Sequence, residues 1–263
     1  MGPIYQALAE LEKNNGPAAI CTVIKSEGST PRHVGSKMLV YPDGKFIGTV
    51  GGGELESRVI HAALDTLKSG EAKNLSYTMA DPSRGDPGVC GGTVEVFVEL
   101  ILPPATIVVI GGGHVGKAVV HLAKWLGFRV AVSDDREEFC NPESVPGADA
   151  YYPVAMAELA NQLKVTRQTF LVVTSRGSGV DAAGLPPLLE SDAAYIGVIG
   201  SKRRWLATVK ALKEKGVSEE LIARVHSPMG IELNAETPEE IAVSIMAEIL
   251  MLRDRGTGKM MKD

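Results

Sequence analysis

Cysteine is scarce in this chain: Cys21, Cys90 and Cys140 are the three in 263 residues. They lie far apart and are odd in number, so neither a disulfide framework nor a Cys-x-x-Cys metal or redox pair can be drawn. A reducing cytoplasm is the expected home. Positive charge is also short, with 27 Lys and Arg against 32 Asp and Glu and a formal net charge of -5. Basic residues gather no further than short runs such as Lys202-Arg203-Arg204. A general nucleic-acid binder needs a basic stripe to replace condensed counterions, and that class is excluded, while a local anion site stays open. No run of 18 uncharged apolar residues occurs, so no membrane span is expected. The opening Met1-Gly-Pro-Ile-Tyr-Gln6 has no basic region followed by an apolar core, so no secretory leader is expected either. Internal repeats and low-complexity segments are missing too.

What is present is an ordinary globular composition, 44% hydrophobic and 22% charged, long enough for one large domain or two of usual size. Pro103-Pro104 marks a seam between an N-terminal domain (1–102) and a C-terminal domain (105–263). The fold class read from the two halves is α/β: a mixed α+β domain, then a Rossmann-like doubly wound parallel sheet. In the first half, residues 4–14 carry apolar side chains at helical spacing, and 18–24 form an apolar run suited to a buried strand. Strands at 38–41 and 46–50 flank the turn Pro42-Asp43-Gly44, and a helix over 54–69 stops at Gly70. A loop rich in Asp, Pro and Gly, residues 81–88, leads to Cys90-Gly91-Gly92 and an alternating strand from Val94 to Leu100. In the second half strands at 106–110, 128–133, 169–174 and 194–199, with shorter ones near 151–154 and 224–226, alternate with helices. The helices fall near 114–126, 156–163, 181–190, 202–215 and 237–253. That alternation is the grammar of a parallel sheet covered on both faces.

The glycine loop Gly111-Gly-Gly113-His-Val-Gly116 stands between a buried strand and an amphipathic helix, and Asp134-Asp135 follow about 20 residues later, where a ribose-binding carboxylate belongs. In such a loop Gly111 permits the turn, Gly113 admits a diphosphate and Gly116 lets helix meet strand, with the helix N-terminus favouring the anion. The competing reading is a packing turn that binds nothing. His114 has no carboxylate paired with it in sequence and reads as a loop residue near a ligand rather than a base. No Tyr-x-x-x-Lys or Asp–His arrangement of a dehydrogenase accompanies the loop, and a fold alone does not supply chemistry.

Taken together, several motifs resemble one family. They are Glu27-Gly-Ser-Thr-Pro-Arg32, Gly35-Ser-Lys-Met-Leu-Val-Tyr-Pro-Asp-Gly44, Gly48-Thr-Val-Gly-Gly-Gly-Glu-Leu-Glu56 and Cys90-Gly91-Gly92. The glycine loop follows, then Asp134-Asp135-Arg136, Thr174-Ser-Arg-Gly-Ser-Gly-Val-Asp181, Tyr195 to Arg204, and His226 to Ala242. In this order, over nearly the whole chain, they resemble XdhC/CoxI proteins, accessory factors for molybdenum hydroxylases such as xanthine dehydrogenase. Two departures stand out. Ser178 stands where the family often has His. Gly53-Glu54 stands where many members have Gly-Cys, which removes any thiol role there and resembles the xanthine-dehydrogenase branch.

The resemblance implies a chaperone that binds molybdenum cofactor in its molybdopterin form and holds it while a cysteine desulfurase installs the terminal sulfur. It would then deliver the cofactor to an apo molybdenum hydroxylase; a homodimer is implied as well. Such a binder needs N–H donors for phosphate, polar groups for the pterin edge and shelter for the metal. Gly51, Gly52 and Gly53 leading into a helix at Glu54 form either an anion nest or a tight turn of the fold. Cys90, flanked by glycines, is a candidate contact to molybdenum or sulfur, set against the inert role of most free cysteines. Cys21 reads as core and Cys140 as incidental.

Arg32 and His33 are candidate anion contacts or solvated surface. Arg176 and Asp181 follow one strand, Ser201, Lys202 and Arg203 another, and His226 the last, all at the carboxyl edge where ligands bind such sheets. The expected site therefore comprises Arg32, Gly51, Gly52, Gly53, Glu54, Cys90, Gly111, Gly113, His114, Gly116, Asp134, Arg176, Asp181, Ser201, Lys202 and His226. The alternative functions are an NAD(P)-dependent oxidoreductase, with NAD(P) or another dinucleotide in the Rossmann crevice, and a regulatory nucleotide-binding protein. The chain lacks the iron–sulfur cysteine sets of xanthine dehydrogenase, so no xanthine oxidation of its own is expected.

Overall fold

Alternating side chains along one long strand serve two faces of the first half. The computed structural model describes residues 2–14, 16–80, 87–88 and 90–262, and the chain divides into compact units at Met1–Pro103 and Pro104–Asp263. The first unit runs α1 (Pro3–Asn14), β1 (Ala18–Glu27), β2 (Lys37–Val40), β3 (Phe46–Gly48), α2 (Gly53–Ser69), β4 (Lys73–Thr78) and β5 (Thr93–Ile101). Its antiparallel sheet has the order β3-β2-β1-β5-β4. On one face Ala19, Cys21 and Val23 of β1 join Val94, Val96 and Val98 of β5 beneath Leu55, Val59 and Ala63 of α2. On the other, Ala18 and Ile20 meet Leu39 and Ala7, the last from α1. Period-two alternation thus sorts one strand between two helices. Strand β4 was not expected from the sequence: it is a sheet edge that alternates half-buried and exposed positions, with no apolar run to announce it. Residues 81–86 of the Asp/Pro/Gly loop lie outside the described residues.

The second unit begins with β6 (Thr106–Ile110), α3 (His114–Trp125), β7 (Arg129–Ser133), β8 (Ala150–Tyr152) and α4 (Leu159–Gln162). It continues through β9 (Thr169–Val173), α5 (Ser178–Leu189), β10 (Tyr195–Val198), α6 (Lys202–Glu214), α7 (Glu219–Ala223), β11 (Val225–His226) and α8 (Pro238–Arg253). The sheet order is β11-β10-β9-β6-β7-β8, every neighbouring pair parallel. This is the 3-2-1-4-5-6 order of the dinucleotide fold, with its switch point between β6 and β9. Ile107, Val109, Val130 and Val132 pack against α3 and α8, while Val108, Ile110, Leu171 and Val173 face α5, α6 and α7.

Two local elements differ from the sequence reading. The segment expected as a helix over 156–163 is a short 3-10 turn, Met156–Glu158, followed by the four-residue α4. Helix α5 starts three residues earlier than expected and runs through Pro186 and Pro187. Pro186 has no N–H to give Ala182, and Lys215 Nζ donates to that carbonyl instead at 3.0 Å. Among the described residues no helix is long and apolar enough to cross a membrane.

Candidate functional site

The glycine loop is a set of close approaches with one opening. Gly111 has φ 117°, and a Cβ there would stand 2.6 Å from the Thr174 carbonyl oxygen. A Cβ at Gly112 would run into the Phe139 carbonyl, and one at Gly116 into that of Gly111. Gly113 differs, since a Cβ there meets nothing within 4 Å. Packing therefore explains three of these glycines and leaves the fourth as open space beside the N-terminus of α3. His114 is exposed on the first turn of that helix. It lines a groove between α3 and α8 with Lys117, His121 and Val243, and is not among the residues lining the crevice described next.

At the switch point lies a cavity of ≈ 310 Å³, lined by Ile110, Gly111, Val154, Met156 and Val180 and edged by Asp134, Asp135, Arg136 and Arg176. Asp134 is buried. Its Oδ2 accepts the Gly112 N–H at 3.0 Å, and its two oxygens take a fork from Arg136, Nε and Nη2 each at 2.9 Å. Burial works to raise its pKa, but the Arg136 guanidinium and the Gly112 N–H outweigh burial and hold the carboxyl below its usual range. The expected ribose acid is thus already bound within the protein. Asp135, one residue on, is half exposed and takes the Nη2 of Arg176, at 2.8 and 3.0 Å, from across the crevice, with Arg136 Nε at 4.0 Å.

Asp181, Ser201 and His226 are each engaged by contacts within the protein. Asp181 is fully buried, bonded to Ser175 and clasped by Arg204 Nη2 at 2.8 Å. Ser201 caps α6 by accepting the Arg204 N–H at 3.3 Å, and Lys202 is exposed. His226 sits on the edge strand β11, away from the cavity lining, with Nδ1 2.9 Å from Glu248 Oε1. Glu248 also accepts from Tyr195 at 2.7 Å and from the Gly230 N–H at 2.6 Å. Arg204 and Glu248 were not singled out as site residues from sequence, and Asp135 was read only together with Asp134 as a ribose acid. Arg204 and Glu248 lie inside helices, and nothing local marks them as partners of Asp181 and His226.

In the first unit three motif loops meet at one end of the sheet. Gly92 lies so close to β1 that a Cβ would stand 2.5 Å from the Glu27 carbonyl oxygen and 2.8 Å from Thr30. A Cβ at Gly51 would stand 2.8 Å from Pro31. The segment 27–32 thus touches both the Cys90-Gly-Gly92 segment and the start of the Gly51–Gly53 turn. At that turn Gly52 and Gly53 leave open space around their Cα atoms, and α2 begins without a side-chain cap. Thr49 donates to Glu56, and Gly51 N–H donates to Thr49 Oγ1 at 3.2 Å, which braces the turn from below. Glu54 is exposed and paired with Arg58 at 3.0 Å. Arg32 is exposed, its guanidinium over the Pro31 carbonyl.

Of the cysteines, Cys90 is exposed, whereas Cys21 and Cys140 are buried. Burial pushes the Cys21 thiol up to about 12 and also raises Cys140. Cys140, read from sequence as incidental, is a core residue of the Rossmann half whose Sγ donates to the Val132 carbonyl at 3.4 Å. Among the described residues no three His, Cys, Asp or Glu gather as a metal site.

Comparison with known proteins follows the same division. Residues 107–249 match the XdhC Rossmann domain, and residues 11–78 match the XdhC and CoxI family. The chain belongs to the XdhC/CoxI family. It is similar to the uncharacterized protein YqeB of Escherichia coli K12, 36% identical over 98% of this chain and 48% of that protein. A probable xanthine dehydrogenase subunit from Bacillus subtilis 168 is 29% identical over 62% of this chain and 47% of its own. The molybdenum cofactor insertion chaperone PaoD of Escherichia coli K12 is 21% identical over 90% of this chain and 83% of its own. This XdhC/CoxI chain spans about half the length of the first two relatives. A crystal structure described as a xanthine dehydrogenase from Bacillus halodurans matches with a TM-score of 0.52 at 22% identity, over 97% of each chain, which shows the shared fold.

Proposed function

We propose that this XdhC/CoxI protein is a maturation chaperone that binds molybdenum cofactor as cargo and delivers it to a xanthine dehydrogenase-type molybdenum hydroxylase. The observation that carries the reading is that segment 27–32 touches both the 90–92 segment, which holds an exposed thiol, and the start of the 51–56 turn, which leads into an uncapped helix. The open turn at Gly52 and Gly53 and the exposed Arg32 suit the phosphate of the cofactor. Cys90 offers a single soft donor, suited to one contact with molybdenum or its sulfur and not to a coordination sphere. The names of the Bacillus subtilis and PaoD relatives point the same way.

On this reading the cofactor is held in its molybdopterin form while a cysteine desulfurase supplies the terminal sulfur. The protein works in the cytoplasm, as a homodimer, with an apo-hydroxylase as its client. The oxidoreductase alternative rests on the glycine loop and Asp134, and Asp134 is already taken by Gly112 and Arg136.

Reconstitution tests the reading. Protein loaded with cofactor is mixed with an apo-hydroxylase, and hydroxylase activity is followed with and without a cysteine desulfurase. Activation that needs both proteins supports delivery after sulfuration. No activation above free cofactor alone counts against it.

A further inference from the structure

The two carboxylates at the mouth of the Rossmann crevice differ in how firmly they are held. Asp134 is buried under a fork from Arg136 and two backbone N–H groups. Asp135 has one shared Nη2 from Arg176, with Arg136 Nε at 4.0 Å. Both members of the Asp135–Arg176 pair are 47% exposed, the kind of pair that contributes little and exchanges readily. Among the described residues Arg176 Nε and Nη1 meet no acceptor, so the guanidinium has donors to spare.

Behind this pair the cavity walls are apolar: Ile110, Val154, Ala155, Met156, Val180 and Ala183. The hydroxyls in its floor already donate, Ser133 to the Val154 carbonyl and Thr174 to the Gly111 carbonyl. A flat heterocycle entering the slot therefore finds polar partners mainly at the mouth, and its polar edge must face outward.

We propose that the crevice binds a fused ring bearing a 2-amino-4-oxopyrimidine edge, the chemistry shared by pterins and guanine. That edge presents an oxo acceptor followed by two parallel N–H donors. Arg176 and Asp135 offer the complement in a row, one N–H donor and two carboxylate oxygens. The ring takes the carboxylate that Arg176 now shares, and Arg176 turns to the oxo group. Adenine presents one amino donor beside an acceptor nitrogen, which would face a carboxylate oxygen and is disfavoured. The inference concerns the second unit alone; its pterin arm rests on the cofactor reading above, whereas the ring preference does not.

Titration of the full chain with neopterin, GMP and AMP by calorimetry tests the preference. Expected is binding of neopterin, GMP or both, with AMP at least about tenfold weaker. Asp135→Asn, which replaces one acceptor by a donor at an exposed position, is expected to erase that preference without lowering Tm. Arg176→Ala is expected to weaken the preferred ring. Neopterin bound more tightly assigns the slot to the pterin; GMP alone assigns it to a guanine nucleotide and separates it from the cofactor reading. AMP binding as tightly as the others, an unchanged preference in Asp135→Asn, or no binding of any of the three overturns the proposal.

Discussion

Asp134 accepts the Gly112 N–H at 3.0 Å, which ties the acid at the end of β7 to the glycine loop. Because the same carboxylate holds Arg136, whose guanidinium lies 3.9 Å above the Phe139 ring, loop and acid form one structural unit. Asp134→Ala leaves the Gly112 N–H and the Arg136 fork without their acceptor. An unfolding free energy lower by about 1–3 kcal/mol is expected in urea denaturation.

The loop glycines should separate under substitution. Gly116→Ala forces a Cβ into the Gly111 carbonyl, and Gly112→Ala does the same at Phe139. Both should destabilise the fold by about 2 kcal/mol or more. Gly113→Ala meets open space at φ -71° and should leave Tm nearly unchanged. Thermal melts of the three variants check the order; a Gly113→Ala protein as unstable as Gly116→Ala would contradict the geometry.

Glu248 predicts an acid response. Burial raises its pKa, yet bonds from His226, Tyr195 and the Gly230 N–H outweigh burial and hold it below the ordinary 4.5. A depressed folded value means that the stabilisation is complete above 4.5 and is lost as pH falls through that lower value. Glu248→Gln should therefore differ most from the parent near neutral pH, and the gap should close as pH falls below 4.5. Denaturant midpoints across that range give the test.

The thiols should react in two classes. Exposed Cys90 is expected to react with Ellman's reagent in the native protein, and buried Cys21 and Cys140 only after denaturation. Cys90→Ala should remove the fast phase alone.

Much of the second unit was readable because its strands are short apolar runs between glycine turns and helical stripes. The β6 strand falls where expected, and the helix expected near 237–253 starts at a Thr237 N-cap with a full capping box to Glu240. Strand β4 was not readable: Lys73–Thr78 is a half-exposed edge whose partner, β5, is separated from it by a loop. The site was legible as motifs and not as geometry. Strand ends announce which residues reach the carboxyl edge, but nothing local tells that Asp181 is spent on Arg204, or His226 on Glu248. Those partners come from helices 23 and 22 residues further along the chain.

Cofactor content is the most direct test of the chaperone account. The protein is expressed in a host that makes molybdenum cofactor, purified without oxygen, and assayed for molybdenum and released pterin per chain. The account predicts pterin close to one per chain, falling severalfold in Cys90→Ala and Arg32→Ala proteins that keep the parent Tm. Protein free of pterin and molybdenum under those conditions would contradict it.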